Sequence, residues 1–293
     1  MCDESKLAEW AKQTISRRQF GALSGAAALA ACAPAETEPK TQASARTGLM
    51  ERGINFATAD GQLDGFLVQP EKGSHAAVIL WPDIAGIREA KRTIARNLAG
   101  EGYAVLVVNP YYRDVTGEQF ADFAGFIAGG GFQKVGPWRA KLNADAIMRD
   151  AAAITDWLDR QEGVSQARGI GTQGYCMGGP FTMWSAAASS RIKAAASFHG
   201  GGLVRPDNPM SPHALFPKMQ ANLLVAIARD DDAKAPSDKT ALREAATAAQ
   251  RPAKIDVYAG DHGWMVPDSP AYNTAAAGQG EADLLALYKG ALG

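Results

Sequence analysis

Gly174-Tyr175-Cys176-Met177-Gly178-Gly179 places one thiol between glycines where an apolar strand turns into a helix. The run before it, Arg168 to Gln173, reads as a short buried strand, and Phe181 to Ala188 reads as a helix. A side chain at such a sharp junction sits in a strained backbone conformation, which only neighbours lacking a Cβ allow; hence glycine two residues before and two after the thiol. The turn lifts the thiol above the carboxyl end of its strand, where a base can reach it. This is the pattern of a nucleophile elbow with cysteine as nucleophile. By itself it also fits a glycine-rich turn around a buried cysteine, so the partners decide.

Outward from the elbow, Val/Ile/Leu-rich runs alternate with helical patterns, which predicts an α/β chain with a mostly parallel central sheet and helices on both faces. Phe56 to Asp60 and Leu63 to Val68, joined at Asp60-Gly61, read as an antiparallel hairpin. Strands follow at His75 to Trp81, Tyr103 to Asn109, Ala194 to Phe198, Asn222 to Ala228 and Lys254 to Tyr258. Helices are expected near Arg88 to Ala99, Ala144 to Arg160, Ser237 to Ala249 and Glu281 to Ala291. The glycine- and phenylalanine-rich segment from Asp114 to Trp138 has no clear period and reads as a lid or a long surface crossover. In such a sheet ligands bind beyond the carboxyl ends of the strands.

A nucleophile in this topology takes its carboxylate and then its histidine from later in the chain. Of four histidines, His75 precedes the thiol and His213 lies in a proline-flanked loop. His199, just after a strand, is placed to line the pocket, whereas His262 follows the last strand and is the candidate base. The acid lies among Asp230, Asp231 and Asp232, which follow the strand ending at Ala228; for the aspartates that do not face the histidine, a solvated turn is the alternative. A neighbouring histidine and a helix N-terminus both lower a thiol's pKa, which suits attack on an ester or lactone carbonyl. The oxyanion then needs two backbone donors, expected from Met177 and Ile84.

Four separated motifs, Trp81-Pro-Asp-Ile-Ala-Gly86, Asn109-Pro-Tyr-Tyr-Arg113, Gly171 to Gly179 and Gly260-Asp-His-Gly-Trp264, resemble the dienelactone hydrolase family, the cysteine branch of the α/β-hydrolase fold. The resemblance runs from about Gly53 to the C-terminus. It implies Cys176 as nucleophile, His262 as base and, because the family's acid stands four residues before a proline, Asp232 as acid before Pro236. It also implies that Asp83, where the family usually carries glutamate, arms the thiol, and that Arg113 binds a substrate carboxylate. The family's second arginine is replaced by Val266, which argues against dienelactone itself and, with Trp264 and Met265, suits neutral acyl esters.

The first fifty residues are a different kind of polymer. Ser16-Arg17-Arg18-Gln19-Phe20 is a twin-arginine pattern, followed by an uncharged run to Ala35 that is short for a bilayer span. Leu29-Ala30-Ala31-Cys32 resembles a lipobox, with Cys32 as the lipidated residue; an ordinary cleavage site is the alternative. The expected division is an export signal over 1–31, a tether over 32–50 and one catalytic domain over 51–293, exported to the periplasm or cell envelope. Cys2 is expected to leave with the signal, and with Cys32 lipidated or on a loose tether Cys176 has no disulfide partner and no resolving thiol for redox chemistry. A net charge of -1 with scattered charges gives no footprint for nucleic acid, and the membrane enters only through the N-terminal anchor. No metal or organic cofactor is needed. The expected function is cleavage of a small ester or lactone, with a broad carboxylesterase or a non-catalytic, ligand-binding surface lipoprotein as alternatives.

Overall fold

The computed structural model describes residues 7–12 and 48–293. The first of these pieces is a short helix, α1 (residues 7–12), whose Trp10 ring lies 6.4 Å from that of Phe123 and whose Ala11 is buried. The twin-arginine pattern and Cys32 lie outside the described residues.

The sheet opens with the hairpin β1 (Leu49–Thr58) and β2 (Gly61–Pro70), ten residues a side and longer than the apolar pattern indicated. The alternation of β1 is weak because much of this edge strand is exposed. Its start at Leu49 brings two residues of the expected tether into the sheet. Then come β3 (Ala77–Trp81), α2 (Glu89–Gly100), β4 (Ala104–Val108), α3 (Phe123–Ala128), α4 (Gly131–Arg139), α5 (Ala144–Leu158) and β5 (Ile170–Tyr175). The second half is α6 (Gly178–Ala188), β6 (Ile192–Phe198), a 3-10 turn at Pro212–Lys218, β7 (Asn222–Ala228), α7 (Arg229–Lys234), α8 (Asp238–Ala248), β8 (Ala253–Tyr258) and α9 (Thr274–Ala291).

Eight strands lie in the order β1-β2-β4-β3-β5-β6-β7-β8, antiparallel at β1–β2 and β2–β4 and parallel from β4 onward. The central strands β3, β4 and β5 are buried at every position, as befits strands covered on both faces. Alternating side chains of β3 feed two cores: Ala77, Ile79 and Trp81 pack with α5 and α6, while Val78 and Leu80 pack on the side of α2 and α9. The segment expected to be lid or crossover is partly helical, and its Phe126 is fully buried between Phe120, Phe123 and Phe132. That aromatic cluster anchors it to the domain.

Candidate active site

Cys176 lies between β5 and α6 with φ +52, in the left-handed region that a cysteine adopts only at a cost. Its N–H donates to the Phe198 carbonyl at 3.1 Å, which ties the turn to the neighbouring strand. The glycines around it are demanded by contact. A Cβ on Gly174 would stand 2.0 Å from the Gly178 carbonyl oxygen, and one on Gly178 would stand 2.6 Å from the carbonyl oxygens of Trp81 and Pro82. A Cβ on Gly179 would meet Gly200 Cα and Ser197 Oγ at 2.5 Å. The elbow therefore abuts the loop after β3. That loop carries Ile84, and the N–H groups of Ile84 and Met177 donate to no partner among the described residues.

The thiol is half-buried against a mainly apolar cluster that includes Ile84, Tyr111, Met177, Phe181 and Leu203. His262, on the loop after β8, faces Cys176 closely enough for the two groups to act on each other's charge. Its Nδ1 lies 2.5 Å from Asp231 Oδ2. Burial alone would lower the His262 pKa, but the facing Cys176 charge and the Asp231 carboxylate outweigh it, and the imidazole is pushed well above its ordinary value. A charged imidazole at this place faces the thiol on one side and the Asp231 carboxylate on the other.

Asp232, the expected acid, is not on His262. Its carboxylate is held by Lys239 Nζ at 2.8 Å to both oxygens. The physical reason is local structure: the three aspartates sit on the short helix α7 rather than on a turn, so successive side chains diverge by about 100°. Only Asp231 faces the imidazole. Asp230 lies beneath and accepts the His262 backbone N–H at 2.7 Å, which fixes the loop.

Asp83 has no freedom to take a proton from Cys176. It is 5% exposed, with Arg88 Nη1 on Oδ1 at 2.8 Å, Arg88 Nη2 on Oδ2 at 2.9 Å and Lys91 Nζ on Oδ2 at 2.8 Å. Burial opposes the charge, yet Arg88 and Lys91 hold the carboxyl well below the usual carboxylate range. Arg88, itself fully buried, also grips Asp268 through Nε at 2.7 Å and Nη2 at 2.8 Å, and Asp268 in turn accepts the Phe123 N–H. One guanidinium thus clamps the Ile84 loop to the loop that follows His262. Arg88, Lys91 and Asp268 escaped sequence reasoning; the signal available was a basic pair three residues apart at the start of a helix, just after an aspartate.

The model of the dienelactone hydrolase family matches residues 63–292, which spans all but the first strand of the sheet. The chain belongs to the dienelactone hydrolase family. It is an ester or lactone hydrolase. A candidate carboxymethylenebutenolidase of Salmonella typhi is 27% identical over 239 residues, covering 80% of this chain and 85% of that protein. Another, from Methylorubrum extorquens, is 24% identical over 277 residues and covers 92% and 91%. Among solved structures, a candidate dienelactone hydrolase from Klebsiella pneumoniae superposes with a TM-score of 0.69 at 22% identity, covering 82% of this chain and 98% of that one. A dienelactone hydrolase-like promiscuous phosphotriesterase from metagenomic libraries gives 0.67 at 21% identity, covering 84% and 100%. These last two show the α/β-hydrolase fold.

Within the dienelactone hydrolase frame, three further expectations are corrected. Arg113 is not held out for a substrate carboxylate: Nη2 lies 2.6 Å from Asp60 and 2.7 Å from Asp150, the latter only 1% exposed. Trp264 is fully buried, stacked on Tyr258 at 5.0 Å, and serves as a wall of the core rather than as a substrate contact. Met265 and Val266 are buried in that same core. His199 is 1% exposed behind His262, at the end of β6, and lines no open pocket.

Proposed function

We propose that this protein hydrolyses a small neutral ester or lactone through a thioester on Cys176. The thiolate Sγ attacks the carbonyl carbon, and the C=O π electrons move to oxygen, where the Ile84 and Met177 N–H groups receive the charge. Collapse expels the alkoxide, which takes a proton from the His262 imidazolium through the nitrogen not held by Asp231. Water then attacks the thioester, His262 accepts its proton, and the thiolate leaves to restore the site. Asp231 orients the ring and stabilises its charge. The observation that carries this reading is the Cys176–His262–Asp231 relay at a left-handed elbow.

Neutrality of the substrate follows from the charges being spent internally. Arg113 is satisfied by two carboxylates, Arg88 by two more, and Val266 is apolar and buried. With the full chain, short p-nitrophenyl esters are expected to turn over, with dienelactone a poor substrate; Cys176→Ala is expected to abolish turnover. Turnover that survives Cys176→Ala sinks the mechanism. Ligand binding by both proteins without turnover assigns a binding function instead.

The N-terminal patterns support export by the twin-arginine route and lipid anchoring at Cys32. Radiolabelled fatty acid is expected in the parent and absent from Cys32→Ala; label that persists in the variant refutes the anchor.

A further inference from the structure

His199 is a buried titratable residue that the proposed relay leaves without a task. It is 1% exposed, neither ring nitrogen has a hydrogen-bond partner among the described residues, and its φ is +40. Unsatisfied buried polar atoms and a left-handed non-glycine backbone both cost stability, and such costs persist where the surroundings impose them for a purpose. The surroundings here are rigid. The His199 N–H donates to the Ala226 carbonyl at 2.8 Å, and the Phe198 carbonyl just before it accepts from Cys176. Its ring stands 6.1 Å from Trp264 and 6.2 Å from Tyr175, both fully buried. On the remaining side it meets the His262 ring edge to face at 5.1 Å, with the planes 64° apart.

That contact supplies something Asp231 cannot. A hydrogen bond to Nδ1 anchors one atom of the imidazole but leaves the ring free to swing about that anchor. A packed wall sets the ring plane. We propose that His199 is a positioning residue: its ring is the surface against which His262 rests, so that the second imidazole nitrogen stays turned toward Cys176. The inference rests on the reading of Cys176 and His262 as nucleophile and base. Histidine suits the place because it is a ring-bearing residue enriched at positive φ. The groups that face it are His262 from the loop after β8, Lys91 from α2, Asp83 from the loop after β3, and Tyr175 from β5. Burial first, then the positive fields of His262 and Lys91, keep its pKa well below the ordinary value, with Asp83 opposing. A second imidazolium at this distance would repel the first.

In the full chain, His199→Asn tolerates the left-handed backbone and removes the wall, whereas His199→Phe keeps a ring. For His199→Asn the expected result is a fall in kcat of at least about tenfold on p-nitrophenyl acetate with KM little changed, the scale of a misplaced catalytic group. Alkylation of Cys176 by iodoacetamide is also expected to slow at pH 6 relative to pH 9, because the thiolate loses its aligned imidazolium. His199→Phe should recover most of the parental kcat. A folded His199→Asn protein with unchanged kcat and alkylation profile overturns the proposal, as does a Phe variant that falls as far as the Asn variant. Should His199→Asn fail to fold, 15N-imidazole spectra of the parent decide: His199 is expected to stay neutral from pH 5 to 9, and titration within that range overturns the proposal. Alkylation reads the thiol directly, so loss of this inference is distinguishable from turnover surviving Cys176→Ala, which would fault the underlying mechanism.

Discussion

Asp231→Asn and Asp232→Asn differ by one position and should differ greatly in effect. Asp231 Oδ2 stands 2.5 Å from His262 Nδ1, with the aspartate side chain 23% exposed and the histidine 17% exposed, so solvent screens the pair only partly. A hydrogen bond to a charged group contributes about 1.5–3 kcal/mol, which is a factor of about 10 to 150 in a rate that depends on it. Asparagine keeps the shape and can still accept from Nδ1, but it removes the charge that stabilises the imidazolium. kcat/KM for p-nitrophenyl acetate is therefore expected to fall about 10- to 150-fold in Asp231→Asn. The His262 pKa falls with it, because one of the two groups raising it has lost its charge. The imidazolium is then lost at a lower pH than in the parent, and the loss in rate should be greatest at the alkaline end of the profile. Asp232→Asn removes only a pair with Lys239 on a side chain 19% exposed and should stay within about twofold, in keeping with the small worth of surface ion pairs. Steady-state kinetics on both variants from pH 5 to 9 decide the matter. A larger loss in Asp232→Asn than in Asp231→Asn refutes the geometric assignment.

Three further perturbations probe the frame around the relay. Gly178→Ala would drive a Cβ to 2.6 Å from two backbone oxygens of the β3 loop, so that loop must shift; kcat is expected to drop about 100-fold or more with unfolding behaviour intact, the scale of losing an oxyanion donor, and a wild-type kcat would show that the contact is slack. Asp83→Asn leaves Arg88 and Lys91 buried without their carboxylate and should cost about 3–5 kcal/mol in urea unfolding. Because the Asp83 pKa is depressed on folding, its stabilisation is present above the unfolded value of about 3.9 and lost as pH falls below it, so the parent should weaken in that acid range and the variant less steeply. Arg113→Met strands the buried Asp150 and is expected to lower the unfolding midpoint while leaving KM for a neutral ester unchanged; a raised KM without a stability loss would return Arg113 to the substrate.

What was legible in the chain follows from how local each signal is. Strand β5, the elbow and the α6 helix are written in contiguous residues, and steric demand for glycine at 174 and 178 is a backbone property that composition reveals directly. That the loop of His262 faces the elbow could be anticipated because chain order and strand ends limit which loops meet. The aspartate could not be read in the same way. Asp230, Asp231 and Asp232 differ only in rotation about a helix of six residues, and a turn was the natural reading of three aspartates before a proline. Trp264 shows the same limit from another side: residues after a catalytic loop can face the pocket or the core, and only the packing of Tyr258 and Phe198 against its ring settles which. Arg113 sits in the expected motif, but its partners Asp60 and Asp150 are distant in sequence, so the cancellation of its charge was not visible.

In the proposed mechanism the buried charges also explain why the elbow works without a mobile acid. An oxyanion site works to the extent that its donors are fixed before charge develops, because reorienting dipoles during the reaction costs part of the stabilisation they give. Here the Ile84 loop is held from four directions. Tyr111 donates its hydroxyl proton to the Ile84 carbonyl at 2.8 Å, the Ala85 N–H is bound by Asp83 at 3.0 Å, Gly86 closes a turn onto the Asp83 carbonyl at 3.0 Å, and Arg88 anchors the Asp83 carboxylate to Asp268 beyond His262. Burying Arg88, Lys91 and Asp83 carries a desolvation cost that apolar residues of similar size would avoid. The same ions link the loop that bears the proposed oxyanion donor Ile84 to the loop that bears the proposed base His262, and hydrophobic packing, which is non-directional, would not set their relative orientation. A carboxylate so engaged has no capacity left to shuttle a proton to or from Cys176. In the proposed mechanism the activation of Cys176 then falls to His262, whose charge Asp231 stabilises and whose ring His199 aligns from behind.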